Sequence, residues 1–312
     1  MRWWSANEGE IVRKSVLILG VVVAGLGLSA CGSGAKATID SSVASLGAQP
    51  DLQMHFTASV SGSGTAEAQK VLNVVSMTTK YATTDGNPLS QSKGASDGDV
   101  TFNIGDKVLL EMRAISSNLY FQVDLSAINA IPGLPITAQE QSELAAAELF
   151  LGGKWFEVPS SLISKELPSS AALKAKTAQE QALDRKLFDA LSKLIDNGDA
   201  TALSSGGYSE TGTLESVVKA VLPTIESIDP SASSSVGKVP GTYTLTLTDN
   251  GSVATGGSVS ITAPEGSGGS GNATVSLSAT VTHDSDAIVA PTGATVITPA
   301  LIQQLLGSTT SL

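Results

Sequence analysis

The sequence predicts an α+β protein with one curved antiparallel sheet covered on one side by helices. Three observations carry this. Alternating apolar runs cluster at 100–123 and again from 241 to 281. Helical periodicity clusters between them, at 137–151, 177–197 and 214–227. Each strand run pairs an apolar face with a polar, Ser/Thr-rich face, the pattern of a sheet covered on one side. Grouped antiparallel strands with grouped helices define the α+β class. One domain holding both meanders is the favoured reading, and two small domains split near residue 170 are the alternative.

The elements follow in order. IDSSVASL, from residue 39, reads as a brief helix. LQMHFTASV is a strand, with Leu52, Met54, Phe56 and Ala58 on one side and Gln53, His55, Thr57 and Ser59 on the other. Gly62–Gly64 closes it. AEAQKVL prefers helix and leads into a strand through Val75, Met77, Thr79 and Tyr81. DGNPLSQSKGASDGD, 85–99, reads as a polar loop. The stretch 99–124 then holds three strands separated by Gly105-Asp106 and Ser116–Asn118. Val100, Phe102 and Ile104 share a face, as do Val108, Leu110 and Met112, and Leu119, Phe121 and Val123. The links are too short for parallel crossovers, so this is an antiparallel meander.

TAQEQSELAAAELFL, 137–151, opens with Thr137 and Glu140 at capping-box spacing. KWFEV, 154–158, is a short strand carrying Trp155, and PSSLISKEL restarts as a helix with proline in its first turn. Thr177 and Glu180 cap the longest helix, whose stripe is Leu183, Leu187, Leu191 and Leu194. Asn197-Gly198 stops it. LESVVKAVLPTIES, 214–227, is amphipathic, and Pro223 is expected to kink or end it. Strands return at Tyr243–Leu247, Val259–Ile261 and Val275–Val281. Thr298 and Pro299 start a last helix, TPALIQQLL.

The N-terminus has a different logic. Residues 15–28 are almost continuously apolar and follow Arg13 and Lys14. That is a charged n-region and an h-region of signal-peptide length, shorter than the ~20 residues of a transmembrane helix. Leu28-Ser29-Ala30-Cys31 follows and holds the single cysteine of the chain. It resembles the lipobox of bacterial lipoproteins. The small side chains suit a peptidase cutting between Ala30 and Cys31, and the thiol supplies the nucleophile for a thioether to diacylglycerol. The resemblance implies residues 1–30 as leader and 31–38 as lipidated tether. Residues 39–307 are then one domain and 308–312 a tail. Glu8, Glu10 and the paired Trp3 and Trp4 fit an n-region badly, so the expected start lies near Val12.

Charge narrows the function. The chain carries −11. Losing residues 1–30, where Arg2, Arg13 and Lys14 outweigh Glu8 and Glu10 by one, leaves −12. Nucleic acid binding needs basic stripes, so this balance excludes it. It also opposes attraction to anionic headgroups, leaving acyl chains as the anchor, at ~0.8 kcal/mol per buried methylene. With one cysteine there is no disulfide framework.

No catalytic motif emerges. His55 and His283 are the only histidines. His283, Asp284, Ser285 and Asp286 are consecutive and read as a strand-ending turn rather than a triad or a Ca²⁺ loop. Gly266, Gly268 and Gly271 match G-x-G-x-x-G but precede a strand, whereas a dinucleotide fold needs a helix there. The sequence implies no enzyme, metal or cofactor. The apolar strand faces fit either a filled core or an open cavity between sheet and helices. In the second case Phe102, Leu110, Phe121, Leu245, Leu247 and Leu277 line it. Eleven aromatics remain after the leader, with no clustered platform for carbohydrate, so an aliphatic ligand fits better.

The lipobox, GDKVLLEMRAISSNLYFQVDL at 105–125, GGKWFEVP at 152–159 and PTGATVITPALIQQLL at 291–306 resemble the LppX/LprG type of actinobacterial lipoprotein, and more distantly the LolA-type carriers. That resemblance covers about a third of the chain. It implies an antiparallel half-barrel with helices across its concave face, enclosing an apolar cavity that some members use to carry lipids or lipoglycans. This chain departs in being longer, with a larger helical insert at 165–235, and no ligand-contact residue carries over. The expectation is a non-enzymatic lipoprotein on the outer face of the cytoplasmic membrane. Its partners would be the membrane, through acylated Cys31, and a lipid or other apolar ligand. The alternative is a structural or sensory module with a filled core and an envelope protein partner.

Overall fold

A computed structural model describes residues 45–62, 64–92, 96–134, 136–162, 201–226, 239–250, 253–264, 271–298 and 301. The leader, the tether, most of the 39–46 helix, the 177–197 helix and the 159–167 helix beyond residue 162 lie outside them.

The described elements run β1 (Asp51–Ser61), α1 (Ala66–Leu72), β2 (Val75–Thr83), β3 (Ser96–Ile104), β4 (Lys107–Ile115) and β5 (Asn118–Val123). A 3-10 helix (Leu125–Ala130), α2 (Ala138–Leu151), β6 (Trp155–Val158), β7 (Thr201–Ala202) and β8 (Tyr208–Thr213) follow. The remainder is α3 (Leu214–Glu226), β9 (Thr242–Asp249), β10 (Ala254–Pro264), β11 (Asn272–Thr282) and β12 (Thr295–Val296). This is an α+β chain. Its 12 strands form one open sheet in the order β12-β6-β5-β4-β3-β2-β1-β11-β10-β9-β8-β7. The sheet is mostly antiparallel: β2 to β6 and β7 to β11 pair antiparallel in sequence order, and the short β12–β6 pair is parallel.

The chain divides into two compact units. The first comprises Met1–Ala48, Phe56–Asn73 and Ala175–Val281, and the second Gln49–His55, Val74–Lys174 and Thr282–Leu312.

In the first unit, β8 to β11 form a regular meander. Its inward rows are Glu210–Leu245–Val259–Leu277 and Gly212–Tyr243–Ile261–Val275. Its other face is hydroxyl-bearing, with Ser260 to Ser276 at 2.8 Å and Thr262 to Thr274 at 2.9 Å. Leu214, Val217 and Val221 are buried at helical spacing along α3. Leu214 closes a buried cluster with Val259 and Ile261, on which Tyr243, Leu245, Val275 and Leu277 pack. Gly212 is required here because a Cβ would sit 2.5 Å from the Tyr243 ring. Pro264 pairs with Asn272 at the start of β11, so a strand and not a helix follows Gly271, as the sequence predicts.

In the second unit, β2 to β6 form another meander. Gly105 begins the β3–β4 turn at φ +58°, where a two-residue hairpin favours glycine. The β4–β5 turn uses Ser116 and Ser117, with φ of +50° and +72°. The Ser116 N–H donates to Asp97 Oδ1 at 3.3 Å, which helps hold this unfavourable backbone. Thr137 and Glu140 form the predicted capping box: the Thr137 N–H donates to Glu140 Oε2 at 2.8 Å, and the Glu140 N–H donates to Thr137 Oγ1 at 3.2 Å.

Three features differ from what the sequence predicts. β3 begins at Ser96, inside the expected 85–99 loop, because Asp97, Gly98 and Asp99 pair with Ala82, Tyr81 and Lys80. The β7–β8 hairpin has no counterpart among the expected strands. Val108, expected on one face with Leu110 and Met112, pairs with Asn103 instead, because the β3–β4 register shifts between Phe102 and Asn103.

Candidate functional site

The apolar face of the second meander is built by register. Met77, Phe102, Leu110 and Val123 are successive partners, and so are Thr79, Val100, Met112, Phe121 and Phe156. Phe121 stacks on Phe156 with ring centroids 5.4 Å apart. Phe156 and Thr79 are buried, yet Met77, Val100, Phe102, Leu110, Met112, Phe121 and Val123 are all only half-buried. The 3-10 helix packs against β3 and β4, and α2 packs against that helix. Its first turn is fixed by carboxylates: the Ser126 N–H donates to Asp124 Oδ1 at 2.9 Å, and the Leu125 N–H to Glu148 Oε2 at 2.7 Å. No residue of α2 is buried.

The six lining residues expected from the sequence therefore divide evenly. Phe102, Leu110 and Phe121 belong to the half-buried face of the second unit. Leu245, Leu247 and Leu277 belong to the first unit, where Leu247 is buried and the other two pack on the Leu214 cluster. Met77, Val100, Met112 and Phe156 are further neighbours on the second face; alternation groups Val100 with Phe102 and Met112 with Leu110, but the expected lining named neither, nor Met77 and Phe156. Their alternation is visible in the sequence, but cross-strand register is not. Ala30 and Cys31 lie outside the described residues.

The opposite face of the second meander is charged. Lys80, Asp99, Arg113, Tyr120 and Glu157 are consecutive across β2 to β6. Arg113 meets two carboxylates, Asp99 Oδ2 at 3.1 Å and Glu111 Oε1 at 2.6 Å, and lies 4.9 Å over the Trp155 ring. Burial, and then repulsion from Glu111, raise the Asp99 pKa above its ordinary value, outweighing an arginine that two carboxylates share. His55 Nδ1 lies 3.0 Å from Thr78 Oγ1 on the same face.

No family model and no curated protein matches this chain.

The chemistry on offer is that of these surfaces themselves. Among the described residues no three His, Cys, Asp or Glu side chains are placed to hold a metal, and no helix is long and apolar enough to cross a membrane. His283 Nδ1 lies 3.5 Å from Asp51 Oδ1, at the start of the segment that follows β11. One surface is an incompletely buried apolar face, and the other holds a cleft among charges.

Proposed function

We propose that this chain is a membrane-anchored extracytoplasmic lipoprotein that holds a lipid or other apolar ligand between a half-barrel sheet and the helices on its concave face. The observation that carries the reading is the half-buried apolar face of β2 to β6, centred on Phe102, Leu110 and Phe121. Strand faces that serve only as core are ordinarily covered, because each buried large apolar side chain contributes about 1.5–3 kcal/mol. An acyl chain laid along this face would complete the burial. About ten methylenes would contribute roughly 8 kcal/mol before the cost of association. The Leu28–Cys31 lipobox supports the anchor. Acylated Cys31 would keep such a carrier at the outer face of the cytoplasmic membrane.

The test starts from a Cys31→Ser chain purified without detergent and extracted for mass spectrometry. A stoichiometric lipid is expected, displaced by a fluorescent fatty acid. Phe121→Asp should abolish probe binding, while Leu277→Ala, in the first unit, should leave it intact. Absence of extracted lipid together with no probe binding overturns the reading.

A second reading rests on a different observation. Leu149 is 83% exposed and the adjacent Phe150 45% exposed at the end of α2. Such a pair suits an envelope protein partner. Crosslinking in cells through position 149 that recovers one envelope protein repeatedly would favour that alternative.

A further inference from the structure

Beneath the segment that follows β11 lies a cleft of about 260 Å³ within the second unit. Its floor carries Gln53, Thr78, Lys80, Asp99, Thr101 and Arg113, and Asp284 with Ala287, Ile288 and Val289 forms the roof. The roof is fastened to the floor by polar contacts. Asp284 Oδ2 lies 3.0 Å from Lys80 Nζ, the Asp284 N–H donates to Asp51 Oδ1 at 3.1 Å, and Arg113 Nη1 donates to the Val289 carbonyl at 2.9 Å.

Apolar burial in the strap is confined to Ile288, which is half-buried, since Val289 is 60% exposed and Ala287 is exposed. Lys80 is different, with a side chain only 12% exposed and an ammonium directed to Asp284. An ammonium carries three donors. Hydrogen bonding from Lys80, and then from the Asp286 N–H, holds the Asp284 carboxyl below its ordinary pKa, as expected of an oxygen serving that cation. The two floor cations thus take a carboxylate oxygen and a carbonyl oxygen from the roof. At Lys80 that is the contact a small oxyanion would make instead, whereas Arg113 also keeps Asp99 and Glu111.

We infer that residues 284–289 are a charge-latched strap over a polar binding cleft, and that a small oxyanion opens it by taking Lys80 from Asp284. Strap carboxylate and ligand are both anionic and meet at one ammonium, so binding at Lys80 weakens closure. The fastening consists of three polar contacts from one segment, so opening needs no disruption of the sheet.

Hydrogen exchange of the full chain at neutral pH tests this, with inorganic phosphate as probe against sodium chloride of matched ionic strength. Lys80→Met should raise exchange of the 284–289 amides by roughly two- to fivefold, with the β2 to β4 amides unchanged. Asp284→Asn serves as a second variant with the same expectation. Phosphate should speed strap exchange in the wild type and leave Lys80→Met unaffected. Equal exchange in phosphate and chloride overturns the inference. So does a strap unmoved by both variants, or a rise that spreads through β2 to β4.

Discussion

The two units are built from the same kind of strand and finish their apolar faces differently. In the first, Val259 and Ile261 are buried beneath Leu214 of α3, and Val217 and Val221 continue the buried stripe of that helix. In the second, Ile104 and Phe156 are buried, the seven apolar residues from Met77 to Val123 are half-buried as Tyr243, Leu245, Val275 and Leu277 are in the first, and no residue of α2 is buried. Strand alternation is equal in both. What differs is the covering element: α3 presents apolar residues at i, i+3 and i+7, whereas α2 places alanines and glutamates through its middle and leaves Leu149 and Phe150 exposed. A face is a property of the strand, and its cover is a property of whatever packs there.

The largest test of that contrast is a pair of truncations. Ile261→Ala should cost about 3 kcal/mol in urea unfolding, as for a fully buried aliphatic side chain. Phe102→Ala should cost about 1 kcal/mol, because its site is already partly open to water. Equal losses would mean that the second face is covered after all.

Tyr243→Phe sharpens the picture of the first core. The Tyr243 hydroxyl donates to Glu210 Oε1 at 2.6 Å, and Glu210 is 3% exposed. Burial, then this hydrogen bond and the carboxylate charge, raise the Tyr243 pKa, keeping the phenol protonated as the donor. Losing that donor should cost about 2 kcal/mol by denaturation. A neutral result would show that Glu210 relies on its other contacts.

Ser117→Gly should stabilise the second unit by about 0.5–1 kcal/mol, since φ is +72° there and glycine adopts it without a Cβ clash. The smallest expected effect concerns pH. Asp99 has a raised folded pKa, so its ionised form carries a penalty that disappears as pH falls through that pKa. Wild type should therefore gain stability relative to Asp99→Asn on acidification from neutral pH, as read by melts across the carboxylate range. The opposite slope would mean that Arg113 dominates the site.

Much of the fold is legible locally. Gly105-Asp106 and Ser116–Ser117 mark the turns of the second meander, and Thr137 with Glu140 marks the start of α2. The unforeseen β8 strand shows where local reading stops. Its inward residues are Tyr208, Glu210 and Gly212, which look nothing like an apolar face. Glu210 is tolerated there because Tyr243 bonds it, and Gly212 because that ring needs the space. The expected lining is legible as faces, but six residues could not be sorted between two units without the register.

By itself the sequence determined most strand faces, turn chemistry and the α2 cap, because these depend on neighbours a few residues apart. The tertiary structure alone decided which face is buried, where Glu210 finds its partner, and that Asp284 returns to Lys80 and Val289 to Arg113, 176 residues away. Such pairings depend on register and on where the chain returns, and periodicity within a single segment carries neither.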